Sequence, residues 1–212
     1  MSHDPISFLS ETFPALFAKG VAQLEAKAAA GDAVAKSSLE DVKGAVGGVI
    51  LQVEGEGAVY LRADNGQMVV LDAAPEPSDV KLAVAAPGAA LRMLLGEAAD
   101  AGELEESKAA SRAVGTASKR LQDALGADSL EFHLVATDVP DLGDITIKVG
   151  LNAPEPPAEP KFTATIAFPD LEAARNGEIN VQQLFLGGKL KMTGDYSKAL
   201  QLGMSLMAQM QQ

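Results

Sequence analysis

The spacing of apolar positions changes character several times along the chain. Ile6, Leu9, Phe13, Leu16 and Phe17 recur at three- and four-residue intervals, which predicts helix. Pro14 suits the first turn of a second short helix, with Thr12 as its N-cap. Residues 21–43 are Ala-rich, and Val21, Leu24, Val34 and Leu39 continue the helical spacing, broken near Gly31-Asp32. The period then drops to two. Val49, Leu51 and Val53 alternate against Ile50 and Gln52, and Val59, Leu61 and Ala63 against Tyr60 and Arg62, which predicts two strands. A turn at 54–57 joins them. Asn65-Gly66 predicts a tight hairpin into a third strand at 68–71, because Asn-Gly readily takes the positive φ of a type I′ turn.

Ala74-Pro75-Glu76-Pro77 breaks the chain before a fourth strand with Val80, Leu82 and Val84. Pro87 opens a short helix closed by Gly96, and 98–103 reads as a polar linker. Residues 104–125 are predicted as one helix, capped by Gly126. Strands follow at Leu130, Phe132, Leu134 and at Ile145, Ile147, Val149, with a loop at 138–143 between them. The run 153–160 is too rich in proline for a central strand. Phe162, Ala164 and Ile166 form the next strand, and Pro169 opens a short helix ending near Asn176-Gly177. Residues 181–186 lead into a strand at 189–193, and 196–211 form the last helix.

The pattern repeats. Leu39, Asp41, Gly44 and Ala45 match Leu121, Asp123, Gly126 and Ala127, and Val80, Leu82, Val84 and Pro87 match Phe162, Ala164, Ile166 and Pro169, all 82 residues apart. Ala74-Pro-Glu-Pro77 recurs as Ala153-Pro-Glu-Pro156, 79 residues on. A second register sets Ser118-Lys-Arg-Leu-Gln122 against Ser197-Lys-Ala-Leu-Gln201 and would make 104–125 the closing helix of the first half. The 82-residue register carries more elements. In it the first half lacks a closing strand and helix, and the N-terminal helices are expected to cover what it lacks.

Composition narrows the chemistry. The 212 residues include no Cys, which removes thiol catalysis and Cys-based zinc sites, and only two His, at positions 3 and 133. The net charge of −12 argues against nucleic acid, which needs a basic footprint. It also predicts brief collisions with anionic membranes, or a protein partner, in place of stable adsorption. At 47% hydrophobic the chain can bury a core. No window approaches a membrane span or a secretory leader, so the expected compartment is the cytoplasm.

No catalytic constellation stands out, and neither a metal nor a cofactor is expected. Asp138, Asp141 and Asp144 lack the alternate-position spacing and closing Glu of a calcium loop. Glu103, Glu105 and Glu106 suit a helix N-terminus. His133 alternates within an apolar strand and reads as a half-buried, satisfied residue, and Ser2-His3-Asp4 lies too near the chain end for triad geometry. The last helix is more informative. Lys198, Gln201, Ser205, Gln209 and Gln212 make one narrow polar stripe, and Leu200, Leu202, Met204, Leu206, Met207 and Met210 fill the rest. So wide an apolar arc, rich in adaptable Met, reads as a lid over an apolar site, or as core or a homodimer contact.

The end of the chain resembles a known family. Residues 162–178, the run 183–195 with Gly188-Lys-Leu-Lys-Met-Thr-Gly-Asp195 at its end, and Ser197-Lys-Ala-Leu200 are similar to the close of the sterol carrier protein type-2 (sterol-binding) domain. Residues 48–71, 79–84 and 8–18 resemble that family's front half and entry helix. The chain is about twice the family's usual length, and its first half lacks the signature strand. The resemblance implies an α/β (α+β) fold of two sterol-carrier-like repeats, each a twisted, mostly antiparallel sheet covered by helices. The first would span 1–103 and the second 104–212. It implies an intracellular lipid-binding or lipid-transfer protein holding a sterol, fatty acyl or phospholipid-like ligand in an internal cavity, without bond chemistry. The expected lining is Phe162, Phe168, Phe185, Leu186, Leu190, Met192, Leu200, Met204 and Met207. The alternative is a scaffold or dimerising accessory protein whose cavities are filled.

Overall fold

The change of period from helical to alternating is followed closely by the backbone. A computed structural model describes residues 4–210, apart from the side chains at 181 and 206–210. The N-terminal segment is α1 (Pro5–Ser7), a wider turn (Phe8–Thr12) and α2 (Phe13–Ala29) in unbroken succession. Pro14 stands in the first turn of α2 with Thr12 just before it, as expected, but Thr12 is itself helical and makes no capping bond, and α2 is long and follows the preceding turn without a break. Proline in the first turn of α2 gives up an N–H whose loss the wider turn before it accommodates. Helix α3 (Ala33–Gly44) begins at Asp32, whose carboxylate accepts from the Val34 and Ala35 N–H groups, each at 3.0 Å.

Strands β1 (Gly47–Glu54), β2 (Gly57–Asp64) and β3 (Gln67–Leu71) form a meander. Asn65 and Gly66 both have positive φ, at 46° and 76°, as a type I′ turn requires. Strand β4 (Val80–Pro87) leads into α4 (Gly88–Asp100), which runs through Gly96. One glycine inside a helix costs only about 1 kcal/mol, and it does not stop this one. The single helix expected at 104–125 is two: α5 (Glu106–Val114) and α6 (Lys119–Leu125). Ser118 separates them by capping Leu121 N–H at 3.1 Å. Its hydroxyl also donates to Asp41 of α3 at 2.9 Å, pinning α6 beside α3.

The second half adds β5 (Leu130–Val139), β6 (Gly143–Leu151), β7 (Phe162–Ala167), α7 (Phe168–Arg175), α8 (Val181–Leu186), β8 (Leu190–Gly194) and α9 (Ser197–Met210). The approach to β8 is thus a helix, closed at its start by a reciprocal Asn180–Gln183 capping box.

Both halves contribute to one sheet, in the order β3-β2-β1-β4-β6-β5-β7-β8. The fold class is the expected α/β one, with antiparallel pairs outnumbering parallel ones, but the two expected sheets are fused. The halves share a pairing pattern. β1 takes β2 antiparallel on one side and β4 parallel on the other, and β5 takes β6 and β7 in the same way. Then β4 pairs antiparallel with β6, just as β7 pairs antiparallel with β8. The first half, lacking a closing strand, thereby covers the edge of β4 with the hairpin strand of the second.

The N-terminal helices lie on the first half, as expected. Phe17 and Val21 of α2 bury against Val59, Leu61 and Ala63 of β2, together with Val42 of α3 and Ala113 and Val114 of α5. Gly20 permits the close crossing of α2 and α5, since a Cβ there would run into the Ala110 carbonyl.

Candidate ligand site

Strand alternation gives the sheet one continuous apolar face. Cross-strand register carries it from Leu61 and Val59 in β2 through Val49 and Leu51, Leu82 and Val84, Leu151 and Val149, and Phe132 and Leu134, to Phe162, Ala164, Leu190 and Met192. The helices do not cover this face evenly. They bury three separate clusters on it. The first is the α2–α3–α5 cluster over β2. The second sets Ala90 of α4 and Phe168 of α7 against Ala136, Val139 and Ile145. The third joins Leu125 of α6 to Leu130, Phe162 and Ala164, with Leu190, Met192, Ala199 and Leu202 packed around it.

Between the clusters run Leu82, Val84, Ile147 and Val149, which are half-buried and belong to none of them among the described residues. Val84 and Val149 are direct cross-strand partners at the centre of the sheet. Apolar groups left partly wet on a sheet face are where an apolar ligand gains most by covering them.

At one end this strip meets a cavity of about 110 Å³ under the α5–α6 corner. Val49, Leu82, Leu151, Leu121 and Leu125 line it, with Ser118, Gln122 and Asn152 as polar groups. That volume holds about four waters at roughly 30 Å³ each. Ligand pockets usually run to about 300–1,000 Å³, so this cavity alone is small for one; larger clefts of about 420 Å³, lined by Phe8, Leu16 and Leu104, and about 580 Å³, lined by Ile50, Tyr60 and Pro154, lie elsewhere on the molecule. A cleft of about 190 Å³ between the N-terminal helices, α4 and α5 is lined almost wholly by apolar groups, including Phe8, Phe13, Leu16, Ala98, Leu104 and Ala113. Arg112 and Glu103 form an ion pair at its edge at 2.6 Å, and the guanidinium hydrogen bond holds the Glu103 carboxyl below the usual carboxylate range. Thr116 lines both the cavity and the cleft.

The opposite face is covered by the two proline-rich loops. Pro75 sits on Gly48, and Ala153 and Pro157 sit on Gly150. His133 lies on this face, half-buried, with Nε2 at 2.9 Å from the Pro157 carbonyl oxygen, so it is a satisfied structural residue as expected. Asp138, Asp141 and Asp144 are exposed, and the Asp138 N–H donates to Asp144 at 3.2 Å. Among the described residues no group of three or more His, Asp or Glu could hold a metal ion. Glu106 lies in the first turn of α5, with Glu105 as its N-cap residue.

The expected lining residues are distributed unevenly. Phe162 is buried in the third cluster, stacked on Phe132 with ring centroids 5.0 Å apart, and Leu190 and Met192 pack beside it. Phe168 is buried in the second cluster, at the far end of β7. Phe185, Leu186, Leu200 and Met204 are exposed, Leu186 to 75% and Met204 to 59%. The side chain of Met207 lies outside the described residues, as does His3. Of α9, Ala199 and Leu202 turn inward, so the helix rests on the sheet through part of its apolar arc. Sequence reasoning passed over Leu82, Val84, Ile147 and Val149 as lining. Their one-sided alternation was visible, but nothing in the pattern distinguished half-covered strand positions from covered ones.

This is an α/β protein whose helices leave four apolar strand residues half-buried between packed clusters on one face of its sheet. A family model, that of the SCP-2 sterol transfer family, matches residues 100–207, half of the chain, and the protein belongs to that family. No curated protein matches it significantly. Among the described residues no helix is long and apolar enough to cross a membrane.

Proposed function

We propose that the protein binds one apolar lipid, of the sterol, fatty acyl or phospholipid type, over the half-buried strip and carries it without bond chemistry. The observation that carries this reading is the strip itself, Leu82, Val84, Ile147 and Val149, left between three packed clusters. Membership of the SCP-2 sterol transfer family supports it. Desolvation supplies the affinity. Each ligand methylene is worth about 0.8 kcal/mol on burial, against an association cost of roughly 4–15 kcal/mol. A long acyl chain of about sixteen methylenes contributes roughly 13 kcal/mol, which offsets most of that range without strong polar anchors. The family's internal cavity would here be an open groove that the ligand itself closes.

The test is displacement of a fluorescent fatty acid by sterol, fatty acid and lysophospholipid in solution. Saturable one-to-one binding with displacement by at least one of them is expected. No binding by the probe and none of the competitors would end the carrier reading. A second reading, a scaffold or dimerising subunit with filled cavities, draws on the small volume, about 110 Å³, of the cavity under the α5–α6 corner. Sedimentation of a stable homodimer that takes up no lipid would favour it.

A further inference from the structure

The sheet ends on two unlike edges. β8 carries Lys191, and charge on an edge strand guards against pairing with another chain. β3 reads Gln67-Met-Val-Val-Leu71 and holds no charge. It is also bare on both faces. Val70 is the register partner of Leu61, on the face the helices cover, and is 41% exposed. Val69 is the partner of Arg62, on the other face, and is 48% exposed. The Asn65-Gly66 turn makes Asp64 and Gln67 a hydrogen-bonded pair. Alternation then turns the N–H and C=O groups of Met68 and Val70 away from β2, where no other strand of the described residues lies. Just past the strand stands Asp72, which is exposed. At the hairpin end Lys43 of α3 lies against Gly66, its Cγ 3.0 Å from where a Cβ would stand.

We infer that β3 is a self-pairing edge, through which two copies of the chain join their sheets antiparallel about a two-fold axis at Val69. In that register Met68 and Val70 of each copy exchange backbone hydrogen bonds with Val70 and Met68 of the other. Val69 meets its own counterpart on one face and Val70 meets Met68 on the other, so both exposed valines are covered. The two-fold also sets no like charges opposite each other. Asp72, which continues the alternation of Met68 and Val70, falls opposite Gly66 of the second copy, on the face where that copy's Lys43 lies. Lys43 already binds Glu25 at 2.7 Å, and its ammonium has further donors for Asp72. With a net charge of −12 on each copy, an uncharged edge is where two copies approach at least cost. The inference stands apart from the carrier reading, because β2 and β1 separate β3 from the half-buried strip on β4 and β6.

The experiment is sedimentation velocity of the full chain from low micromolar to near-millimolar concentration, with disulfide trapping alongside. A reversible, weak dimer is expected, because an edge of 5 residues buries less than a standard interface. Val69→Lys should raise the dimer Kd about tenfold or more, by setting like charges against each other at the axis, and leave the urea midpoint in place. It also lowers the net negative charge of each copy, so general repulsion does not explain the loss. Leu186→Lys, at an exposed position on α8, should leave the dimer intact. The chain has no Cys, so single cysteines report the register. In Val69→Cys the two thiols belong to a non-hydrogen-bonded pair with Cα atoms about 4.5 Å apart, and diamide should oxidise them to a disulfide dimer. In Gln67→Cys they stand about 14 Å apart and should not join. A monomer at every concentration, a dimer untouched by Val69→Lys or lost in Leu186→Lys, or equal trapping of the two cysteine variants would overturn the edge. Fluorescent fatty-acid binding should be the same in Val69→Lys and the unaltered protein, so a failure of the carrier reading leaves this test standing.

Discussion

Replacing Val84 and Val149 together by Thr separates ligand binding from folding. The two are cross-strand partners in the half-buried strip, and Thr has nearly the same shape and suits a strand. In the free protein each hydroxyl keeps access to water, so folding should lose less than about 1 kcal/mol. In the complex a lipid would cover both. Each site then loses about 0.8 kcal/mol of methyl burial and buries a hydroxyl at a cost of roughly 1–3 kcal/mol unless it finds a partner. Summed over both sites at the low end of these values, the pair costs about 3.6 kcal/mol, a rise of several hundredfold in Kd for the fluorescent fatty acid. The assay is titration of that probe into both proteins, with chemical denaturation alongside. Equal affinities in two equally stable proteins would place the ligand elsewhere and refute the reasoning.

Further outcomes follow from other parts of the molecule. Phe162→Ala removes a buried, stacked ring from the third cluster and should cost about 3–5 kcal/mol in urea denaturation. A loss below 1 kcal/mol would mean that the cluster is not packed as described. Gly20→Ala should cost about 1–3 kcal/mol by forcing α2 away from α5, since the obstruction is backbone that cannot turn aside; an unchanged midpoint would contradict that crossing. Glu103 should titrate below an ordinary glutamate by NMR, because the Arg112 guanidinium stabilises its charged form. A carboxyl so depressed adds stability that is present above its unfolded pKa and lost as pH falls through its folded one. Arg112→Gln should return the titration toward the ordinary range; an unmoved curve would remove the ion pair as its cause.

Much of the fold was legible in the sequence because strand alternation and Asn-Gly turn chemistry are local. The hairpin at Asn65-Gly66 and the eight strands of the described residues follow from them. Helix ends were less legible, for reasons that are not local. Gly96 sits inside α4, while the α5–α6 break depends on Ser118, whose hydroxyl also donates to Asp41, 77 residues away. The repeat was visible as a constant offset in β4 and β7, where Leu82 and Ala164 both face the helices. It fails in β1 and β5, because Val49 and Glu131, also 82 apart, lie on opposite faces. The shared pairing pattern supports the reading of two related halves, but their fusion through β4 and β6 could not be read from either half alone.

The expected lining residues are brought together only in part. Family resemblance and the apolar α9 pointed to the second half, and Phe162, Leu190 and Met192 do gather there. Leu82 and Val84 come from the first half, and their half-burial depends on where α5, α6 and α9 stop covering the sheet. That is a property of tertiary packing, which periodicity does not encode.

Native mass spectrometry of the freshly purified protein tests the central claim most directly. A lipid-binding strip predicts a population shifted by the mass of one lipid, released on delipidation and restored by adding the extracted lipid back. A protein that sprays at its bare mass before and after incubation with sterols, fatty acids and phospholipids would contradict the account.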